Sequence, residues 1–264
     1  MSSYHEKILF ELERIEQEEE VQILFACESG SRAWGFPSKD SDYDVRFLYV
    51  RPVEWYLSLY DKRDVIERPI NDLLDINGWD LRKALNLFRK SNPPLLEWLQ
   101  SPIIYRENHA IAEEIRRLSP FTFSPKSCMY HYLHMAKGNY RDYLQGEQVK
   151  IKKYFYVLRP ILACAWIESH NTMPPIEFGH LVEAAAPSGL KPVIGDLLVR
   201  KKAGDEMDYE PRIQPINDYL EDRIEYYERL APGIKSSGEL SGGGQEQQLD
   251  ELFRTVLKEV WKDR

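Results

Sequence analysis

Residues 21–27, VQILFAC, form a continuous apolar run rich in β formers, and no other stretch constrains the fold as strongly. Such a run suits a strand buried on both faces. A turn-rich connection follows, ESGSRAWGFPSKDSD, over residues 28–42. Residues 43–50, YDVRFLYV, read as a second strand, and Pro52 closes it. Ahead of the first strand, Ile8, Leu9, Leu12 and Ile15 recur at helical spacing within residues 4–20. The glutamates between them read as the solvated face of an amphipathic helix.

After the second strand, residues 52–60 predict a short helix with Pro52 in its first turn. Two extended pieces are expected near 63–68 and 70–76, divided by Pro69. Asp80 stands where an N-cap belongs, before a helix whose Leu81, Ala84, Leu85 and Phe88 share one face. Asn92-Pro93-Pro94 stops that helix, and a short LLEWL segment leads to Ser101-Pro102. Beyond about residue 120 strand signals fade, and helices are expected over 125–145, 150–170 and 213–230. Residues 232–248 have the composition of a flexible linker. A terminal amphipathic helix is expected over 249–262, carrying Leu249, Leu252, Phe253, Val256, Leu257 and Val260. The expected division is a mixed α and β part over 1–116 and a helical part over 117–264.

Composition narrows the function. The 264 residues carry a net charge of −8, which argues against a protein that coats nucleic acid non-specifically. A local basic groove is still compatible with that balance. Cys27, Cys128 and Cys164 are odd in number and widely spaced, so buried free thiols are expected, not a disulfide framework or a structural zinc site. The N-terminus is acidic and lacks the apolar core of a signal peptide. No apolar run approaches the ~20 residues that span a bilayer. A cytoplasmic location with no membrane partner is the expectation.

The chemistry is concentrated in residues 28–46. Gly30 permits a tight turn and close approach of a ligand to the backbone. Ser31 follows at the start of a helical turn, where free N–H groups favour a phosphate. Ten residues beyond the glycine–serine pair come Asp42 and Asp44, two apart at the start of a strand, so their carboxylates are expected on one face. Paired carboxylates repel unless a cation lies between them, and hard oxygen donors suit Mg²⁺ or Mn²⁺. A phosphate-cradling turn beside a dicarboxylate clamp matches metal-assisted phosphoryl or nucleotidyl transfer. A calcium loop starting at Asp40 fails, because Val45 holds the glycine position and Arg51 the bidentate glutamate position. A P-loop fails too, since no G-K-[ST] follows the glycines.

The order of buried strand, Gly30-Ser31, spacer and Asp42-x-Asp44 resembles the signature of the DNA polymerase beta nucleotidyltransferase superfamily. The wider text, ESGSRAWGFPSKDSDYDVRFLYV followed by DINGWDLRKALNLFRKSNPPLLEWL, resembles its branch of bacterial and phage nucleotidyltransferases linked with RNA repair. The resemblance is strong over residues 25–105 and loose beyond. It implies an α+β fold: a mixed β-sheet nucleotidyltransferase domain with flanking helices, followed by a helical domain. It implies an NTP substrate, two Mg²⁺ ions, and transfer of an NMP to a hydroxyl, with an RNA 3′ end as one acceptor. It also implies a third carboxylate flanked by apolar residues on a neighbouring strand. Asp75, in Leu74-Asp75-Ile76, fits best, with Asp72 and Asp80 as competitors. Asp75 would then touch the second metal and take a proton as general base.

Arg32, Lys39 and Arg46 flank the motif and are candidate phosphate contacts. Residues 137–159 hold six basic residues, including Lys152 and Lys153, against Asp142 and Glu147, with Tyr140, Tyr143, Tyr154 and Tyr156 interleaved. That segment reads equally as a phosphate or nucleic-acid face and as a basic helix packing its tyrosines inward. By similarity to related transferases, Lys152 or Lys153 would reach the nucleotide phosphates. His131 and His134 lack a third ligand at zinc-binding spacing. Trp34, in the catalytic turn, is placed to pack beside a base. Transfer to a protein or small-molecule hydroxyl, or a non-catalytic nucleotide sensor on the same fold, are the alternative readings.

Overall fold

The computed structural model describes residues 3–69, 73–107, 110–204, 208–235 and 243–262. The chain forms two compact units. The first comprises Met1–Ala33, Asp42–Thr122 and Gly238–Arg264, and the second Trp34–Ser41 and Phe123–Ser237.

The first unit is built on a five-stranded mixed sheet. Its strands are β1 (Gln22–Glu28), β2 (Tyr43–Val50), β3 (Val65–Glu67), β4 (Leu74–Asp80) and β5 (Ile104–Glu107), in the order β3-β4-β2-β1-β5. β1 is an interior strand, apolar from Ile23 to Cys27, and it pairs antiparallel with both β2 and β5. β2 pairs in parallel with β4, with Asp44 opposite Asp75. Helix α1 (Ser3–Glu19) buries Ile8, Leu12 and Ile15 on one face of this sheet, against Val45, Phe47, Tyr49 and Ile76. Because side chains alternate along a strand, Asp44, Arg46 and Asp75 are offset by one position from that core-facing set. Gly78, opposite Phe47 across the β2–β4 ladder, leaves the space that the phenyl ring fills.

Short helices α2 (Gly30–Ala33) and α3 (Val53–Tyr56) follow β1 and β2, and α4 (Leu81–Arg89), α5 (Pro93–Leu99) and α6 (Ile111–Thr122) complete the mixed part. Asp80 caps α4 as its position predicts, accepting from the Arg82 amide at 2.8 Å. The expected helix over 52–60 is reduced to the four residues of α3. The expected extended piece at 70–76 begins at Leu74 and runs to Asp80, so Asp75 lies within a strand. The competitor Asp72 lies outside the described residues.

The second unit is helical, with α7 (Pro125–Tyr143), α8 (Tyr154–His170), α9 (Phe178–Ala185), α10 (Lys191–Ala203) and α11 (Gln214–Leu230), plus a two-stranded ribbon of β6 (Gln148–Lys150) and β7 (Tyr209–Pro211). Helices α6, α9 and α10, strand β5 and the ribbon have no counterpart in the sequence reading. Residues 34–41 belong here because Phe36 is buried against Phe155 and Phe178, with ring centroids 4.9 and 5.5 Å away.

The last helix, α12 (Gly243–Val260), starts earlier than expected and packs in the first unit against α4. Sequence composition assigns residues 243–248 to a linker, but tertiary contacts override the low helix propensity of glycine there. Gln245 donates to Thr122 Oγ1 at 3.0 Å, and Glu246 pairs with Arg89 at 2.6 Å. Residues 236–242 of the expected linker lie outside the described residues. No helix among the described residues is long and apolar enough to cross a membrane.

Candidate active site

Two chain crossings bring the site together. The end of β1 turns at Gly30 into α2, and the chain re-enters the sheet at Asp42, immediately before β2. The Ser29 amide donates to the Asp44 carbonyl at 2.8 Å, locking the turn to the first residues of β2. Gly30 has φ +58°, in the left-handed region, and a Cβ there would overlap Asp44 Oδ2. The glycine is therefore required twice, once by the backbone and once by the carboxylate that lies against it.

Asp44 and Asp75 face each other across the parallel β2–β4 pair. Directly opposed like charges are destabilising, and burial adds a desolvation cost. Burial raises the Asp44 carboxyl above its ordinary value, Arg46 opposes that rise, and Asp75 and Asp42 add to it. Arg46 Nη2 lies 3.2 Å from Asp44 Oδ1 and 2.7 Å from Asp75 Oδ2. Its other terminal nitrogen, Nη1, donates to the carbonyls of Val45 and Asp75 at 3.0 and 2.9 Å. Arg46, a candidate phosphate contact by sequence, thus serves as the counter-ion of the two aspartates. Asp42 is exposed, and its carbonyl accepts from Arg32 Nε at 3.1 Å. The Arg32 guanidinium also lies over Tyr43, 3.7 Å from the ring centroid, and Tyr43 stacks in turn on Tyr4 at 4.7 Å. Ser31 is half-buried within α2, a helical turn of four residues.

One participant escaped the sequence reading. Glu28, the last residue of β1, is fully buried. It accepts the Asp44 amide at 2.7 Å and the Tyr105 hydroxyl. Burial pushes its carboxyl up to about 7, against the pull of those two hydrogen bonds. The available signal was a lone acid closing an otherwise apolar strand, next to the Gly30 turn.

The candidate lysines fall in the second unit. Lys39 and Lys152 are exposed, and Lys153 lies over Tyr143 and Tyr156, 4.2 and 4.8 Å from their ring centroids. Burial and the neighbouring Lys150 and Lys152 lower the Lys153 ammonium below its ordinary value. Tyr140 and Tyr154 are core residues, hydrogen-bonded to Glu221 and Asn217, so only Tyr143 and Tyr156 keep exposed ring surface. Trp34 packs against Arg159, whose guanidinium stands 4.4 Å from the ring centroid. All three cysteines are free and buried. His134 is exposed and His131 packs beside Tyr132. Among the described residues no three His, Cys, Asp or Glu side chains form a ready-made metal cluster. Two surface clefts of the first unit lie away from the aspartates: one of about 800 Å³ beside Glu13, Glu16 and Trp261, and one of about 340 Å³ between α4 and α12.

The model of the RNA repair pathway DNA polymerase beta family matches residues 4–255. The chain belongs to that family. It is a family of polymerase beta-type nucleotidyltransferases, and the α+β architecture with its mixed sheet agrees with the fold expected from the motif. An uncharacterized protein of Bacillus subtilis (strain 168), YcgL, is 53% identical over 259 residues, 98% of each chain. A crystal structure of a nucleotidyltransferase-like protein from Exiguobacterium sibiricum 255-15 aligns with 97% of this chain and 80% of its own, at 14% identity and a TM-score of 0.32, too slight a likeness to bear on the site.

Proposed function

We propose that this protein transfers a nucleoside monophosphate from an NTP to a hydroxyl group, with an RNA 3′ end as acceptor, using divalent metal. The observation that carries the reading is the register of Asp44 and Asp75 on adjacent parallel strands, with Gly30 cleared of any side chain against Asp44. The donor set is entirely carboxylate oxygen, which fits Mg²⁺ or Mn²⁺. Asp42 and Asp44 would hold the ion, with Asp75 as the third carboxylate. The ion would neutralise triphosphate charge and acidify the attacking hydroxyl.

The chain's own residues set up that chemistry. Glu28 fixes the Asp44 main chain through its amide. Arg32, held by the Asp42 carbonyl and the Tyr43 ring, braces the approach to the motif. Asp75, opposite Asp44, is the candidate base for the acceptor proton. Lys152 and Lys153 are proposed, on charge and similarity, as contacts for a phosphate-bearing substrate. The alternative of a nucleotide sensor finds its support in Arg46, whose guanidinium already neutralises Asp44 and Asp75.

The test is label transfer. Full-length protein is incubated with each labelled NTP, Mg²⁺ or Mn²⁺, and RNA carrying a free or a blocked 3′ hydroxyl. Label is expected only on the free 3′ end, and Asp42→Asn should abolish it with an unchanged melting curve. NTP binding without pyrophosphate release on any acceptor, protein and small molecules included, would establish the sensor and overturn the transferase.

A further inference from the structure

Arg46 follows Asp44 by two residues on β2, so the two side chains leave the sheet on the same face. Asp75 comes to the same place from β4. Arg46 Nη2 approaches one oxygen of each aspartate, Asp44 Oδ1 and Asp75 Oδ2. Asp44 Oδ2 points instead toward the Gly30 turn, where a Cβ would collide with it. The guanidinium is also tied down by two main-chain carbonyls, Val45 and Asp75. Guanidinium is charged at every physiological pH and matches carboxylates in a planar fork.

We infer that Arg46 is the resident counter-ion of the two aspartates and competes with a divalent ion for the seat between Asp44 and Asp75. This rests on the metal-dependent reading above. Two opposed, half-buried carboxylates repel each other, and positive charge between them relieves that repulsion. Arg46 supplies it when no metal is present. An ion that took Asp44 Oδ1 and Asp75 Oδ2 would displace Nη2, which uses those two oxygens. An ion that uses Asp42 and Asp44 Oδ2 need not. Arg46 is thus a positioning residue, and it sets both the affinity of the site and which carboxylate pair an ion meets first.

Mn²⁺ binding to the full-length protein, followed by its paramagnetic resonance signal, tests this without any turnover. Arg46→Ala should bind Mn²⁺ more tightly, by about tenfold or more, since a unit charge within hydrogen-bond distance is removed. Millimolar methylguanidinium should enter the vacated space and weaken binding to the variant, while equal ionic strength of NaCl should not. Wild type should be indifferent to methylguanidinium. Arg46→Lys, which keeps the charge and loses the fork, should fall between wild type and Arg46→Ala. Unchanged or weaker binding in a folded Arg46→Ala, with binding still abolished by Asp44→Asn, would overturn the competition and leave the metal site standing. Tightening that methylguanidinium reverses no better than NaCl would reduce Arg46 to a distant charge and also overturn the proposed seat. If Mn²⁺ binding is insensitive to Asp44→Asn in every background, the metal-dependent reading itself falls, and this inference with it.

Discussion

Gly30 and Glu28 are the residues around which the site is most tightly constrained. Gly30→Ala forces a side chain into the oxygen of Asp44 at a left-handed backbone position. It should destabilise the first unit by about 1–3 kcal/mol and abolish transfer, which urea melts and the label assay would show together. Glu28 makes a different prediction. A rise from 4.5 to about 7 means that the folded state holds this proton more tightly than the unfolded chain does. Its contribution to stability is therefore full below about pH 4.5 and is lost as the pH rises to about 7, up to about 3 kcal/mol in all. Asp44 and Asp80, also raised, act in the same direction. Glu28→Gln, which cannot ionise, should flatten the fall in stability between pH 4.5 and 8, measured as urea midpoints. An identical pH slope in wild type and variant would show that Glu28 is not the group responsible. Sequence exposed Gly30 through its motif. Glu28 was hidden because its role depends on Tyr105, 77 positions away.

At the scale of elements, the clearest agreement is between strand β2 and the cap of α4. Residues 43–50 match β2 to the residue, since the alternation and Pro52 are both local signals. Asp80 does more than its position suggests. Besides the Arg82 amide, its carboxylate accepts the Tyr56 hydroxyl at 2.7 Å, and it is fully buried. Asp80→Asn keeps one acceptor oxygen, enough for the Arg82 amide but not also for the Tyr56 hydroxyl, and should cost about 1 kcal/mol. Asp80→Ala loses the cap and leaves the Tyr56 hydroxyl without its acceptor, and about 2–3 kcal/mol is expected from thermal or urea unfolding. Equal losses in the two variants would refute the cap as the dominant contribution. The same double use explains why Asp80 is a poor third carboxylate: its oxygens are already committed inside the fold. Asp75 instead sits in a strand opposite Asp44, a placement that required the β2–β4 register to be known.

For the whole molecule, the informative segments are those whose membership crosses the expected boundary. Residues 34–41 lie between Gly30 and Asp42 in the motif yet pack with the helical unit, where Lys201 donates to Ser38 Oγ at 2.8 Å. Helix α12 returns from the far end of the chain to α4, burying Leu249, Val256 and Leu257. Leu257→Ala should lower stability by about 2–4 kcal/mol, comparable to any other core truncation in the first unit, whereas a terminal helix without tertiary partners would show almost no change in its melt. What sequence alone determined was local: the strand pattern, the helix cap, the Gly30 turn and the Asp42-x-Asp44 spacing, all read within a window where periodicity and turn chemistry act. Tertiary structure alone decided which carboxylates meet, that Arg46 neutralises them, that Glu28 stands behind Asp44, and where α12 belongs. Those outcomes depend on strand register and long-range packing, and neither leaves a periodic trace in the residues that take part.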